Sequence, residues 1–558
     1  MSAMLRLAGI QIVVLAVAAV ATAADFTAAV TVNANSGARP ISPYIYGLNG
    51  ALQQYTPELI RASGLRLTRE SNGNNCTKYN WRLDLSSHPD WYNNVYKQGW
   101  HDRAQRLQKE FADLQGLFGL QVLGWVAKTD AVNFREQDVN PRPESHQDLC
   151  GGGKPELYLQ PWSAQDTVGI LDHWFGPGGL GLDPARFRYW HLDNEPDCWM
   201  GTHNDICPKD YSAADCVRKY VAVAREVKTR YPGIRLMAPG FTSEWMWWNW
   251  NGGFVEGLPW AEYFIKRMAE ESKACGMRLL DVVDYHTYAG SDKQTEADVL
   301  QEYRILYDPT YQFPTANGCK RLPDGGWHDD QRVEMIFART EQWLDRYFGR
   351  GHGISIGVTE AAPAHKREMV SALWYASMLG TFADHGVEVF TPWDWHASWW
   401  EVLHLFSRYA GTRRVASHVD AAAPVLAFSS LDASGKTLTV ILLNNSPDGT
   451  ATARVSATGF VLADRPATTL RLANLPEDTR TFQSDTENAL RRGTVPLRQG
   501  VAKVRLPPYS ITAVLLAGAL TRRWRGRDAD TAAIHGTWPC QPSGLARPGA
   551  AALPHRRI

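Results

Sequence analysis

Two glutamates in this 558-residue chain stand where carboxylate chemistry could be done. The stretch at 187–199, FRYWHLDNEPDCW, begins as an aromatic and apolar run of strand type. It ends in the polar cluster Asp193-Asn194-Glu195-Pro196, where proline removes a ladder donor and stops the strand. Asn194 and Glu195 are thereby placed at the strand's C-terminal end. A second short strand, SIGVTE at 355–360, ends in Glu360. Two carboxyl groups facing one another can divide a hydrolysis between them. One protonates a leaving oxygen, and the other attacks carbon or activates water, which is what cleaving a glycosidic bond requires. Glu195 is the better acid/base candidate, because aromatic and apolar neighbours would raise its proton affinity. Glu360 is then the nucleophile. Either glutamate alone would read equally well as a surface charge just past a strand.

The elements that must position this pair alternate. Strand-like stretches lie at 41–49, 65–70, 121–126, 187–195, 234–240, 282–288, 355–360 and 388–395. Helix-like stretches lie at 104–117, 211–230, 260–274, 331–348 and 367–385. Parallel strands need crossover helices, so eight strands in this order predict an α/β chain with a (β/α)₈ barrel over 41–416. The ends of strands four and seven then meet across its catalytic face. The loops at 127–163 and 287–330 are long enough to shape a cleft. After about residue 417 the texture becomes short alternating strands with turn residues between them, which predicts a β-sandwich over 417–518. An alternating strand, FTAAVTVN at 26–33, lies in the segment 24–40 and is expected to join that sandwich. The last residues, 519–558, are rich in Arg, Pro, Gly and Ala without periodicity and read as a disordered tail.

The N-terminus carries Arg6, an apolar run over 7–20 and the small residues Ala21-Thr22-Ala23. This is the pattern of a secretory signal over 1–23, too short for a membrane span, and it predicts an exported protein with no span in the mature chain. Net charge is +0, which points to neither nucleic acid nor an acidic membrane as partner. A monomer is expected. Export makes disulfides available to the eight cysteines, Cys76, Cys150, Cys198, Cys207, Cys216, Cys275, Cys319 and Cys540. The cluster Cys198, Cys207 and Cys216 suggests a local bridge, its spacing being wrong for a zinc site.

These pieces resemble clan A of the glycoside hydrolases and, more narrowly, glycoside hydrolase family 44. The motifs are ISPYIYGLN at 41–49, TKYNWRLDLSSHPDWYNN at 77–94, HLDNEPDCWMGTHNDICP at 191–208, VVDYHTY at 282–288, VTE at 358–360 and LPPYSITAVLL at 506–516. The resemblance implies a retaining endo-β-1,4-glucanase acting on cellulose-like glucans or xyloglucan, with Glu195 as acid/base and Glu360 as nucleophile. It also implies that Asn194 bonds the sugar 2-hydroxyl and that Arg69 steadies the nucleophile. His286 and Tyr288 would bond Glu360 or substrate, although His286 reads also as a satisfied core histidine. Trp393 or Trp395 would be the platform under the reacting sugar, both on one side of strand eight by alternation. Trp81, Trp91, Trp125 and the tryptophans of 245–250 are subsite or core candidates. The chemistry requires no cofactor and no metal, and a structural Ca²⁺ is compatible with it. The chain departs from the family in the Ser71-Asn72-Gly73-Asn74-Asn75 turn and in Ala361-Ala362-Pro363 after Glu360. Alternative readings are another clan A activity, on xylan, mannan or arabinofuranosides, and a carbohydrate-binding protein without catalysis.

Overall fold

The computed structural model describes residues 25–71, 73–87, 95–130, 155–288, 294–314, 333–364, 367–420, 424–473, 475 and 490–521. The signal at 1–23, the tail at 522–558, Trp91, Cys150, Cys319 and Cys540 lie outside them.

Eight parallel strands form the barrel: Gly47–Asn49, Leu67–Arg69, Gln115–Leu120, Tyr189–Leu192, Arg235–Phe241, Val282–Thr287, Ser355–Ala361 and Val389–Phe390. Each is hydrogen-bonded to the next in chain order. The seam between first and eighth is held by Asn49, whose amide donates to the carbonyls of Thr359, Thr391 and Pro392. Leu67, Leu117, Tyr189, Met237, Val282 and Val389 fill the interior, and Tyr44 closes the base edge-on to Tyr189 at 5.3 Å. A filled interior makes the barrel a packed core whose reactive groups can only stand at its mouth.

The third strand is not QVLGWV at 121–126. It is Gln115–Leu120, and the helix before it, Trp100–Glu110, stops short of the expected 117. Leu114, Leu117 and Phe118 continue the helical spacing and so disguise the change of element. Gly116 shows what the strand needs: an added Cβ would stand 2.9 Å from the Phe187 ring, just before the neighbouring strand. A helix, Trp399–Tyr409, follows strand eight and was not read from the sequence.

The chain after the barrel forms a twelve-stranded antiparallel-rich sheet folded around its own core of Val440, Leu442, Val455, Val504 and Val514. Its first strand, Arg413–Asp420, begins before residue 417. The N-terminal strand Phe26–Asn33 lies between Arg413–Asp420, to which it is antiparallel, and Ala451–Thr458, to which it is parallel. Helix Glu368–His385 lies between barrel and sandwich and is buried along nearly its whole length. That position explains its almost uniformly apolar sequence. Among the described residues no helix is long and apolar enough to cross a membrane.

Candidate active site

Strand four ends at Leu192, and the chain then turns through two left-handed residues, Asp193 at φ 59° and Glu195 at φ 45°. Such backbone is uncommon outside glycine and persists only when its surroundings hold it. The Asp193 carboxylate does so, accepting from the Thr77 hydroxyl at 2.6 Å and from the backbone N–H groups of Val122, Leu123 and Asn194. The turn breaks strand alternation, so the consecutive side chains of Asn194 and Glu195 both reach the mouth.

Glu360, in strand seven, faces them. Arg69 at the end of strand two donates to Glu360 Oε1 at 2.7 Å and to Asn194 Oδ1 at 2.6 Å. The Tyr288 hydroxyl donates to Glu360 Oε2 at 2.7 Å. His286 Nδ1 lies 2.8 Å from Glu195 Oε1 and 3.5 Å from Glu360 Oε2. A carboxylate oxygen of Glu195, one of Glu360 and the His286 nitrogen all fall within 4.8 Å of one another. The structure therefore brings together Glu195, Glu360, Asn194, Arg69, His286 and Tyr288.

The two carboxyls have opposite proton affinities. Burial raises Glu195, the charge of Glu360 raises it further, and the His286 hydrogen bond only partly offsets them. Burial would raise Glu360 as well, but His286, Arg69 and the Tyr288 hydroxyl outweigh it and hold this carboxyl below its ordinary range. One group is thus disposed to carry a proton and its partner to be ionised, the division of roles that paired-carboxylate hydrolysis needs.

The tryptophans part ways. Strand eight ends at Phe390, so alternation does not govern 393–395 and the two indoles do not share a side. Trp393 is 41% exposed and stands at the mouth. Gly73, at φ +55°, shows this: a Cβ there would lie 2.9 Å from the Trp393 ring and 3.5 Å from Glu360 Oε1. Trp395 instead packs edge-on against Tyr375, Trp399 and Trp400. Trp81 is not with the pair; it stacks on His173 at 5.5 Å and donates its N–H to the Asp166 carbonyl. Trp125 sits on a two-stranded antiparallel ribbon, Trp125–Ala127 with Leu159–Pro161, half-buried against Tyr158 and Leu159. Trp247, Trp248 and Trp250 are core, and Trp247 donates to the His286 carbonyl at 3.0 Å.

Four contributors were missed by the sequence reading. Asn74 donates to Glu195 Oε2 at 3.4 Å and accepts from the Asn194 amide at 3.0 Å. Asn49 accepts from Arg69 at 3.3 Å. Asp284 and Thr359 stand behind His286, with Thr359 Oγ1 3.1 Å from Nε2. The asparagine-rich turn after strand two was a signal for Asn74, and alternation in VVDYHTY puts Asp284 on the same face as His286.

The expected local disulfide is absent. Cys198, Cys207 and Cys216 are free thiols. Cys198 turns its Sγ to the Glu195 carbonyl at 3.2 Å and lies 3.7 Å from Glu195 Oε2, while Cys207 and Cys216 are buried core side chains.

Among the described residues two clusters bring carboxylate and imidazole atoms within 4.8 Å, Glu195–His286–Glu360, whose hydrogen bonds are given above, and Glu341–Asp345–His352. In the second, His352 Nδ1 accepts from the Ile354 N–H at 3.0 Å, so its Nε2, 3.5 Å from Glu341 Oε1, faces that carboxylate as a donor.

The model of glycoside hydrolase family 44 matches residues 85–291. The β-mannanase/endoglucanase A of Caldicellulosiruptor saccharolyticus is 24% identical over 65% of this chain and 30% of its own length. The chain spans less than two thirds of the curated relatives it matches. Among solved structures, CelM2, a bifunctional glucanase-xylanase from a metagenome library, superposes with a TM-score of 0.72 at 21% identity, covering 88% of this chain and 99% of that one. A Paenibacillus polymyxa xyloglucanase of family 44, solved with xyloglucan, gives 0.69 at 20% identity over 88% and 99%. With its own motifs and this fold, the match over 85–291 makes the chain similar to glycoside hydrolase family 44.

Proposed function

We propose that the protein is an exported endo-β-1,4-glucanase that cleaves internal bonds of cellulose-like glucans or xyloglucan with retention of configuration. The observation that carries this reading is the pair of facing carboxyls, Glu195 and Glu360, with an oxygen of each within 4.8 Å and opposite proton affinities. Retaining enzymes hold their carboxyl groups closer than inverting ones, which must leave room for a water. Glu360 attacks the anomeric carbon while Glu195 gives its proton to the departing glycosidic oxygen. Water then enters, Glu195 takes its proton, and the ester to Glu360 is broken. Arg69 and Tyr288 keep Glu360 ionised and aimed, Asn194 is placed for the sugar 2-hydroxyl, and exposed Trp393 offers a flat apolar face beside the nucleophile. The protein acts as a monomer, with polysaccharide as its partner and no cofactor in the chemistry.

The test is reducing-sugar release from carboxymethylcellulose, xyloglucan, xylan and mannan by the wild type and Glu360→Gln. Proton NMR of the first product anomer accompanies it. Activity on the first two that vanishes in the variant, with the β anomer formed first, is expected. Activity on xylan or mannan alone would move the substrate, and silence on all four would defeat the reading.

A further inference from the structure

A hydrogen-bond count behind the acid/base leads beyond this reading. Asp284 Oδ1 accepts from the Thr359 N–H at 3.0 Å and its Oδ2 from the Thr359 hydroxyl, while His191 Nε2 approaches Oδ2 to 3.0 Å. The backbone N–H and the hydroxyl of Thr359 both donate to Asp284, as they do to a carboxylate. Burial would raise its proton affinity, but His191, the His286 charge and the Thr359 hydrogen bond outweigh it and hold Asp284 below its usual range. A hydroxyl has one proton, and that of Thr359 is committed to Asp284. Thr359 Oγ1 can therefore only accept from His286 Nε2, 3.1 Å away. This fixes the neutral imidazole as its Nε2–H form and leaves Nδ1 with a bare lone pair, 2.8 Å from Glu195 Oε1.

Two acceptors do not approach to 2.8 Å without a proton between them. We propose that Glu195 and His286 hold the acid's proton jointly, and that Thr359, the residue before the nucleophile, is the positioning residue that enforces this by fixing the imidazole tautomer. The two forms of the pair are carboxylic acid on imidazole and carboxylate on imidazolium, and each contains one dissociable proton besides Nε2–H. Removing it sets a carboxylate against a lone pair, which is costly in a buried site. The pair therefore keeps its proton to higher pH than an isolated glutamate would.

Other charges facing the pair act in the same direction or are already matched. Glu360 lies 3.5 Å from Nδ1 and is itself held by Arg69 and Tyr288. Asp284 lies 3.8 Å from Nε2, with His191 on its far side. Cys198 reaches Glu195 Oε2, and buried Asp197 and Cys76 stand on the turns after strands four and two. Burial lowers His286, but Glu360, Glu195 and Asp284 more than compensate and raise it.

The role in catalysis rests on the glucanase reading; the tautomer does not. Thr359→Val keeps the shape and removes the acceptor, so His286 can move its proton to Nδ1 and donate to an ionised Glu195. That stabilises the deprotonated pair. The alkaline limb of kcat/KM, which reports the acid in the free enzyme, should shift downward by about one pH unit, and Thr359→Ser should restore it. A purely structural defect would lower activity at every pH and leave the limb in place. In parallel, ¹⁵N NMR of histidine-labelled protein, with His286 assigned through His286→Gln, should show in the wild type a protonated Nε2 at every pH and an Nδ1 that loses its proton only together with Glu195. The valine variant should show protonated Nδ1. An unmoved limb in folded Thr359→Val, or neutral wild-type His286 protonated at Nδ1, would overturn the proposal. If no polysaccharide is cleaved, the glucanase reading fails while the NMR result still decides the tautomer.

Discussion

Both ends of the barrel bury charges, and the two ends treat them in opposite ways. At the base, acids are matched by cations. Lys228 meets Asp281 at 2.6 Å, Arg278 meets the same carboxylate at 2.8 Å, and Arg235 meets Glu388 at 2.6 Å. Burial would raise Asp281, but Lys228, Arg278 and Arg235 hold it below its usual range. At the mouth, acids outnumber cations. Burial pushes Asp193 up to about 6 and Asp197 to about 7, and Glu244 behind Tyr288 reaches about 7. Burial also raises Glu195. Glu360, with Arg69 and Tyr288 on it, and Asp284, with His191 and Thr359 on it, are instead held low. At the base cations hold Asp281 ionised, whereas at the mouth burial favours the protonated form of several acids. The difference is one of partner supply and not of depth, since both ends are buried.

Substitutions should expose that difference. Glu360→Gln removes the mouth's ionised partner and should cost at least about 10³-fold in kcat while leaving the fold intact, read by hydrolysis rate and thermal melting. Asp281→Asn, at the base, should do the reverse. It strands Lys228 and Arg278 and should cost about 3–5 kcal/mol in urea unfolding, with kcat of the folded enzyme unchanged. A large activity loss in Asp281→Asn would break the division between the two ends. Trp393→Ala should raise KM by about tenfold with little change in Tm, while Trp395→Ala should lower Tm and leave KM near its wild-type value.

The smallest effect lies in pH. Asp197 and Glu244 are raised on folding, so the native state holds protons there that the unfolded chain has lost. Stability from this source is full below about pH 4 and declines as pH rises through about 7. Asp281 is depressed, so its contribution is present above the unfolded carboxyl value and is lost as acid lowers pH through the folded one. Between pH 5 and 8 the raised acids of the mouth titrate and Asp281 does not, and Tm should fall across that interval. Asp197→Asn should flatten the fall by roughly 2 °C. A Tm that rises with pH there would contradict the contrast.

The facing glutamates were legible because each closes an apolar strand, and strand ends define one face of a barrel. Arg69, His286 and Tyr288 were legible for the same reason. What supports them was less so. Thr359 sits inside VTE as an ordinary β-branched strand residue, and nothing local says that its hydroxyl links Asp284 to an imidazole 73 positions away. Asn74 lies in a turn, where asparagine has a conformational reason to occur whatever its contacts. The third strand was misplaced because helix spacing runs on past Glu110 into residues that tertiary pairing converts to sheet. Trp395 was assigned to the mouth by strand alternation, in a segment where strand eight has already ended. Cysteine spacing suggested a bridge, but which way a thiol turns is set by packing that spacing does not encode.

The strand at 26–33 is seated between two strands near the other end of the chain, with Ala29 beside both Asp420 and Arg454. Everything between residues 33 and 413 is therefore a single loop whose ends are tied together by the sandwich. Residues 26–33 cannot be paired until 413–420 and 451–458 have been synthesised, so the closure of this clasp comes late in folding. Contacts of such long sequence separation form slowly. Once made, the clasp means that the barrel cannot unravel from a free end, because it has none.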